Sequence, residues 1–504
     1  MKRIASLHPY FFVLASILFL YPRAAVIASP DQVIRPLLAL WLLLGFISAI
    51  VFLLIRDFRW TSIFTSVFAI GFCSQTLFFF MAGIVSLIVF FLWYVSASLL
   101  KRRINLEQVE ILLFTTAFFL SIYYAYPLVN YWINFPDLPT VPLAPLQDIK
   151  ASEVPPDIYY IVLDGYGRAD LLEDLYEFDN SNIVQALESR GFVIPSESRS
   201  NYPKTALSVA STLNMDYVQT FVPELKEEPF WWIMSSFLKH SRVRDNLEAV
   251  GYRSVAIATD WSITNNVTAD EYYASKTIML NDFEAFYIST TPLIMLKPLL
   301  GRFAFVPTFD SHGELILYNF DTLARIAEQP SSPKFIFAHI LAPHPPFVFG
   351  ADGANLQPGY AFGFDDASDF PYDAQSYRDG YIGQVRFINE QIILFVDKVL
   401  KSAATSPIII LQADHGPGML TDFKSVENTC LRERFSTFAA YYLPDANPST
   451  IPSDITPVNL FRIIFNTYFS ADLPLLENRH FYYDGIYIYD PQDVTSEVDT
   501  CVRN

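Results

Sequence analysis

Residues 407–416 read PIIILQADHG: an unbroken apolar run, then an aspartate beside a histidine, then a glycine. An apolar run of strand length without alternation reads as a strand buried on both faces, the kind found in parallel sheets lying between helical layers. At a strand end the chain turns, so adjacent side chains no longer have to point to opposite faces. Asp414 and His415 can then share one divalent ion, with Gly416 permitting the turn.

The same pattern recurs outward from this stretch. DIYYIVLDG (157–165), YRSVAIATD (252–260), KFIFAHIL (334–341) and FAAYYLP (438–444) also read as buried strands. Segments of helical periodicity, such as SNIVQALESRG (181–191) and YIGQVRFINEQIILFVDKVLKSA (381–403), separate them. Alternating strands and helices predict an α/β domain with a largely parallel central sheet, whose sites form at the carboxyl ends of the strands. Candidate chemistry falls at those ends. Asp164 closes the first strand, His339 and His344 lie at and after the third, and Asp414 with His415 closes the fourth. Taken singly, an Asp-Gly after a strand is a turn. Several such ends in one domain argue for a site. SNYPKTALSVASTLNMDY (200–217) places Thr205 at the start of a small-residue helix, where free N–H groups favour anions. The plain reading is that Thr205 caps the helix.

The first part of the 504-residue chain has a different character. Its first ~130 residues are apolar beyond what a soluble domain needs. Stretches near 35–55, 60–79, 82–100 and 109–127 are each long enough to span a bilayer, at about 20 residues per helix. A fifth, 9–28, is interrupted by Pro22 and Arg23 and reads either as a kinked span or as a signal-peptide core. Lys2 and Arg3, Arg56 and Arg59, and Lys101, Arg102 and Arg103 fall in alternate loops, which places those loops in the cytoplasm and everything after about residue 128 outside. The spans carry almost no interior ionisable residue, which disfavours a transporter. The expected organisation is a transmembrane domain (1–128), a Pro-rich linker (129–156), an extracytoplasmic catalytic domain (157–490) and a C-terminal tail (491–504). The protein is thus expected to be a multi-pass protein of the cell membrane. The net charge of −18 sits almost wholly in the second part and argues against nucleic acid as a partner. Three cysteines are too few for a disulfide scaffold. Cys430 and Cys501 can pair if their domain is external, or remain two thiols.

Strand-Asp-Gly, a threonine at a helix start and a distal Asp-His-Gly, in that order, resemble the alkaline phosphatase superfamily. The membrane anchor and external domain resemble its sulfatase-like branch of lipoteichoic acid synthases, phosphoglycerol transferases and phosphoethanolamine transferases. TALSVAS (205–211) is similar to the nucleophile segment of the phosphoethanolamine transferases, and HILAPHPPF (339–347) to their His-x4-His-x-Pro stretch. The resemblance implies that Asp164, Thr205, Asp414 and His415 bind one divalent ion (Mn, Zn or Mg) and that Thr205 is the nucleophile. His344 would then act on the substrate phosphate. His339, His480 and Lys204 are carried over as substrate contacts, with a second ion left open. It further implies transfer of a phospho-alcohol group from a membrane lipid donor to an envelope glycan or lipid acceptor. Two departures stand out. The Asp-x3-His pair of two-zinc members is not evident, and HGPG lacks the Glu-Ser that follows the transferases' Asp-His-Gly. The Cys/Ser-x-Pro-x-Arg segment of true sulfatases is absent around 198–211, which disfavours sulfate-ester hydrolysis. Rival readings are a phosphodiesterase or phosphatase using water, and a non-catalytic envelope-binding scaffold. Arg168 reads as a surface or structural residue, and His8, His240 and His312 carry no functional assignment.

Overall fold

The strand-like runs become a sheet because each is apolar on both sides and needs helices above and below it. The computed structural model describes residues 5–25, 28–73, 95, 105–134, 145–222, 232–275, 280–291, 308–329, 333–360, 362–484 and 491–501. The chain divides into two units, Met1–Leu138 with Ile278–Val306, and Pro139–Thr277 with Pro307–Asn504.

The first unit holds helices α1 (His8–Ala24), α2 (Ile34–Ile55), α3 (Phe58–Phe72) and α4 (Leu106–Asn134). Asp57 caps α3, its carboxylate accepting from the amides of Arg59 and Trp60. Among the described residues, Ala5–Ala24, Pro30–Ile55 and Leu106–Asn130 are long and apolar enough to cross a membrane. Of the five expected spans, 82–100 falls outside the described residues apart from position 95, and so does the part of 60–79 beyond Cys73. Pro22 lies inside α1 near its end, where the backbone bond it removes belongs to the last turns. Beside the expectation of spans almost free of interior ionisable residues, two buried ionisable groups lie near helix starts. His8 is fully buried and Glu110 nearly so, the latter accepting from Ser6 and Ser62 and lying 3.5 Å from Arg59 Nε. Hydroxyl and guanidinium partners offset the cost of burying that carboxylate.

The second unit is built on six strands: β1 (Ile158–Leu163), β2 (Arg253–Ile257), β3 (Glu271–Tyr273), β4 (Lys334–Ile340), β5 (Ile408–Gln412) and β6 (Ala439–Tyr442). Their order is β3-β2-β4-β1-β5-β6, parallel throughout except for β6, which runs antiparallel to β5 at one edge. The short β3 escapes a hydrophobicity reading because all three of its residues are only half-buried. Helices α5 (Thr205–Asn214), α6 (Asp282–Thr290), α7 (Phe309–Ile326), α8 (Ala374–Ser402), α9 (Leu431–Phe435) and α10 (Pro457–Tyr468) complete the set used below. Of these, α6 belongs to the first unit.

Adjacent residues of β1 show how the sheet is covered. Tyr159 points to one face, its ring 6.0 Å from Phe395 of α8, and Tyr160 to the other, 5.3 Å from Phe461 of α10. This is the two-residue period of a strand, with both phases apolar. In register, Leu163 lies opposite Ile340 and Val162 opposite Gln412, so β1, β4 and β5 end at one edge. Residues 491–501 fold back onto the unit: β8 (Gln492–Asp493) pairs with β7 (Phe481–Tyr482), and Val494 and Val498 pack with Leu431 and Phe435 of α9. A disulfide joins Cys430, at the head of α9, to Cys501.

Candidate metal centre

At the shared edge, β1 runs into Asp164 and β5 into Asp414 and His415. Gly165 adopts a left-handed backbone (φ 70°) that reverses the chain, and its amide donates to Asp414 Oδ1 at 3.1 Å. The amide of His415 donates to the same oxygen at 3.0 Å. Gly416 is required for space rather than for its backbone angles, since an added Cβ would lie 2.0 Å from the carbonyl oxygen of Glu433.

Four atoms converge. His415 Nε2 lies 3.4 Å from Asp164 Oδ1, 3.5 Å from Asp414 Oδ2 and 3.2 Å from Thr205 Oγ1. His415 Nδ1–H donates to the carbonyl of Gly416 at 2.9 Å, which fixes the tautomer and leaves the Nε2 lone pair facing the carboxylates. Among the described residues, the buried oxygens Asp164 Oδ1 and Asp414 Oδ2 have no hydrogen-bond partner. Two orphaned carboxylate oxygens, an imidazole nitrogen and a hydroxyl in one dry pocket form the donor set of a divalent-cation site. Asp164, Asp414 and His415 bring their ligand atoms within 4.8 Å of one another. Thr205 is the first residue of α5, with Lys204 at the N-cap position. The hydroxyl therefore turns into this pocket instead of capping its helix.

The neighbouring histidines differ. His339 Nε2 lies 3.2 Å from Asp164 Oδ2, and its Nδ1 is 2.7 Å from the Thr264 hydroxyl. His344 packs its ring 6.1 Å from that of His415, with Nε2 3.6 Å from Asp366 Oδ2. Burial opposes a charge on His344, but Asp164 and Asp366 outweigh it and raise its pKa above the ordinary histidine value. Burial, reinforced by the Arg434 charge, pushes His415 the other way, towards the neutral form that a ligand needs. Burial also opposes ionisation of Asp164, yet the surrounding His344, His339 and His415 hold its carboxyl well below the usual range. Lys204 is pushed down to about 8 by burial and by Arg434, and its ammonium lies 5.5 Å from the Phe423 ring.

His480 sits elsewhere. Its Nδ1–H donates to the carbonyl of Ser200 at 2.8 Å, its ring packs on Phe435, and burial pushes its pKa down to about 4. These contacts hold its ring in the packing around Ser200 and Phe435. Arg168 donates to the carbonyl of Ser198 at 2.9 Å and pairs with Asp170, as a structural residue does.

Two site residues have no forerunner in the sequence reading. Arg434, on α9, is almost fully buried. It donates to Asp366 Oδ2 at 2.8 Å, to the carbonyls of Pro203 at 2.8 Å and Gly416 at 3.1 Å, and its Nη2 stands 3.3 Å from His415 Nε2. Asp366 also accepts from the Tyr377 hydroxyl at 2.7 Å; burial resists its ionisation, but Arg434 and His344 bring its pKa down to about 2. A lone basic residue in a sequence normally reads as solvated. The one available clue was Glu433–Arg434 directly ahead of a strand-like run, and Asp366 gave none because a long loop delivers it.

The family model for sulfatases matches residues 156–464, well over half of the chain. Among solved structures, the chain is similar to the C-terminal periplasmic domain of EptC from Escherichia coli in complex with zinc. Identity is 12%, coverage is 70% of this chain and 96% of that one, and the TM-score is 0.44. It is also similar to the phosphonate monoester hydrolase of Agrobacterium radiobacter (11% identity, 65% and 80% coverage, TM-score 0.38). A third likeness is the soluble domain of lipooligosaccharide phosphoethanolamine transferase A from Neisseria meningitidis (11% identity, 63% and 91% coverage, TM-score 0.34). No curated protein sequence matches. Family membership rests on the match over 156–464 and on the site's residues. The chain belongs to the sulfatase family.

Proposed function

We propose that this protein transfers a phospho-alcohol group from a phospholipid-type donor to a cell-envelope acceptor through a covalent phospho-threonine at Thr205. The observation that carries the reading is the Thr205 hydroxyl 3.2 Å from His415 Nε2, beside two buried, unpartnered carboxylate oxygens. A divalent ion held by Asp164, Asp414, His415 and Thr205 would lower the pKa of that hydroxyl and neutralise charge on the phosphoryl group.

In the first half-reaction Thr205 Oγ, ionised beforehand with its proton lost to solvent, attacks phosphorus while the bond from phosphorus to the donor's oxygen breaks, and the second half-reaction returns it in that ionised form. His344, whose pKa is raised by Asp164 and Asp366, gives its proton to the departing oxygen. In the second half-reaction His344, now neutral, takes the proton of the acceptor hydroxyl. That oxygen attacks phosphorus and Thr205 is released. Lys204 and Arg434 lie beside Thr205 as cations for the phosphoryl oxygens. The N-terminal apolar helices and the basic-residue pattern support a membrane protein with this site outside, next to lipids and envelope polymers and away from ATP.

The test uses membranes containing the full chain, a phospholipid labelled in its headgroup, and envelope extract as acceptor. Label should move to the acceptor, and a quenched reaction should yield a Thr205 peptide carrying the phospho-alcohol mass. Release of label into water alone would assign a phosphodiesterase instead. Absence of both transfer and release would overturn the reading.

A further inference from the structure

The second half of the chain contributes one segment to the first unit. Ile278–Val306 leaves the sheet domain after β3 and returns before α7, and it groups with Met1–Leu138. Its described helix, α6, is built into the apolar bundle rather than laid on it. Phe283 is fully buried and Tyr287 nearly so, in one cluster with Val13, Ile17, Tyr21, Val33 and Cys73. The Tyr287 hydroxyl lies 3.4 Å from Ser16 Oγ. Ser16 is eight residues before the end of α1 at Ala24, which corresponds to a depth of roughly 12 Å along that helix. The hydrocarbon half-thickness of a bilayer is about 15 Å.

The head of α6 is locked by polar bonds as well. Asn281 and Glu284 form a reciprocal capping box. Asn281 donates to the Gln32 carbonyl at 3.0 Å, the Gln32 side chain accepts from the Phe283 amide at 3.2 Å, and Arg35 grips both oxygens of Glu284. A bidentate guanidinium pair fixes register as well as charge. Gln32 and Arg35 stand at the start of α2, the end that the basic-residue pattern puts outside.

We propose that α6 is a second membrane attachment of the catalytic half, embedded in the outer part of the helical unit. The Pro-rich linker is then not the sole tether, because the chain passes between the two units three times. This inference is independent of the chemistry at Thr205.

A protease site inserted between Thr140 and Val141 of the full-length protein tests it. After cleavage in native membranes and a high-salt wash, the fragment from Val141 onward should remain in the membrane pellet. With Phe283→Asp and Tyr287→Asp together, retention should fall by about tenfold or more, because the aromatic burial that holds the helix is lost. Gln32→Cys with Asp282→Cys, in a Cys73→Ser background, should be joined by a short bis-maleimide that spans the two thiols, since the native side-chain tips lie 3.4 Å apart. Release of the unaltered fragment on cleavage would overturn the proposal, as would undiminished retention of the doubly substituted one. Should the doubly substituted protein fail to accumulate, absence of the cross-link in the otherwise native chain overturns it equally.

Discussion

Replacing Arg434 with Met keeps an unbranched apolar stem and removes the guanidinium group with its charge. Asp366 would then remain buried with the Tyr377 hydroxyl at 2.7 Å and His344 Nε2 at 3.6 Å, and the carbonyls of Pro203 and Gly416 would lose the guanidinium donor. Breaking a buried ion pair from one side costs about 3–5 kcal/mol, because the surviving charge has no water to turn to. At about 2–4 °C per kcal/mol, the unfolding midpoint should fall by roughly 6–20 °C. Asp366→Asn should also destabilise, by about 2–3 kcal/mol, since Arg434 keeps its two carbonyl partners but loses its counter-ion. The double variant contains no bare charge, so its loss should be smaller than the sum of the two by about 2 kcal/mol. The assay is thermal unfolding of the full chain in detergent with chelator present, at one scan rate, for all four proteins. Additivity within about 0.5 kcal/mol, or an Arg434→Met shift below about 2 °C, would refute the claim that the two groups act as one buried pair.

Thr205→Ala should abolish transfer while costing only about 0.5–1.5 kcal/mol, the net worth of one neutral hydrogen bond. Thr205→Ser keeps the nucleophile and should retain activity within about tenfold, a 1.4 kcal/mol difference per decade. Label transfer and denaturant melts read these two out. Chelation should lower the melting midpoint, and re-addition of a divalent ion at 100 times its Kd should restore about 2.7 kcal/mol, measured by scanning calorimetry. His344 has a raised folded pKa, so the stability its charge contributes is full below 6.5, the ordinary value, and is lost as pH rises through the raised one. Transfer that needs His344 as an acid should decline on that alkaline side. Asp366→Asn should move the decline to lower pH in a pH–rate profile, whereas an unmoved profile would remove Asp366 from the role of holding His344 charged.

The sequence by itself determined the sheet and the residues that end its strands. Unbroken apolar runs such as IYYIVL and IIILQ have one stable use in water, as strands covered on both faces, and that use sends Asp164, Asp414 and His415 to a single edge. The apolar helices at the N-terminus were legible for the same reason of burial. Only the tertiary structure decided what those groups meet. Arg434 and Asp366 look solvated in the sequence, and their pairing depends on a loop and a short helix that carry no periodic signal. His480 shares the residue type of a ligand, but its backbone places it against the Ser200 carbonyl. Glu284 and Tyr287 read as part of the catalytic half until α6 joins the helical unit. Hydrophobic periodicity is local and survives in the sequence, whereas the pairing of buried charges joins residues far apart in the chain, 68 positions for Arg434 and Asp366, and is written only in the fold.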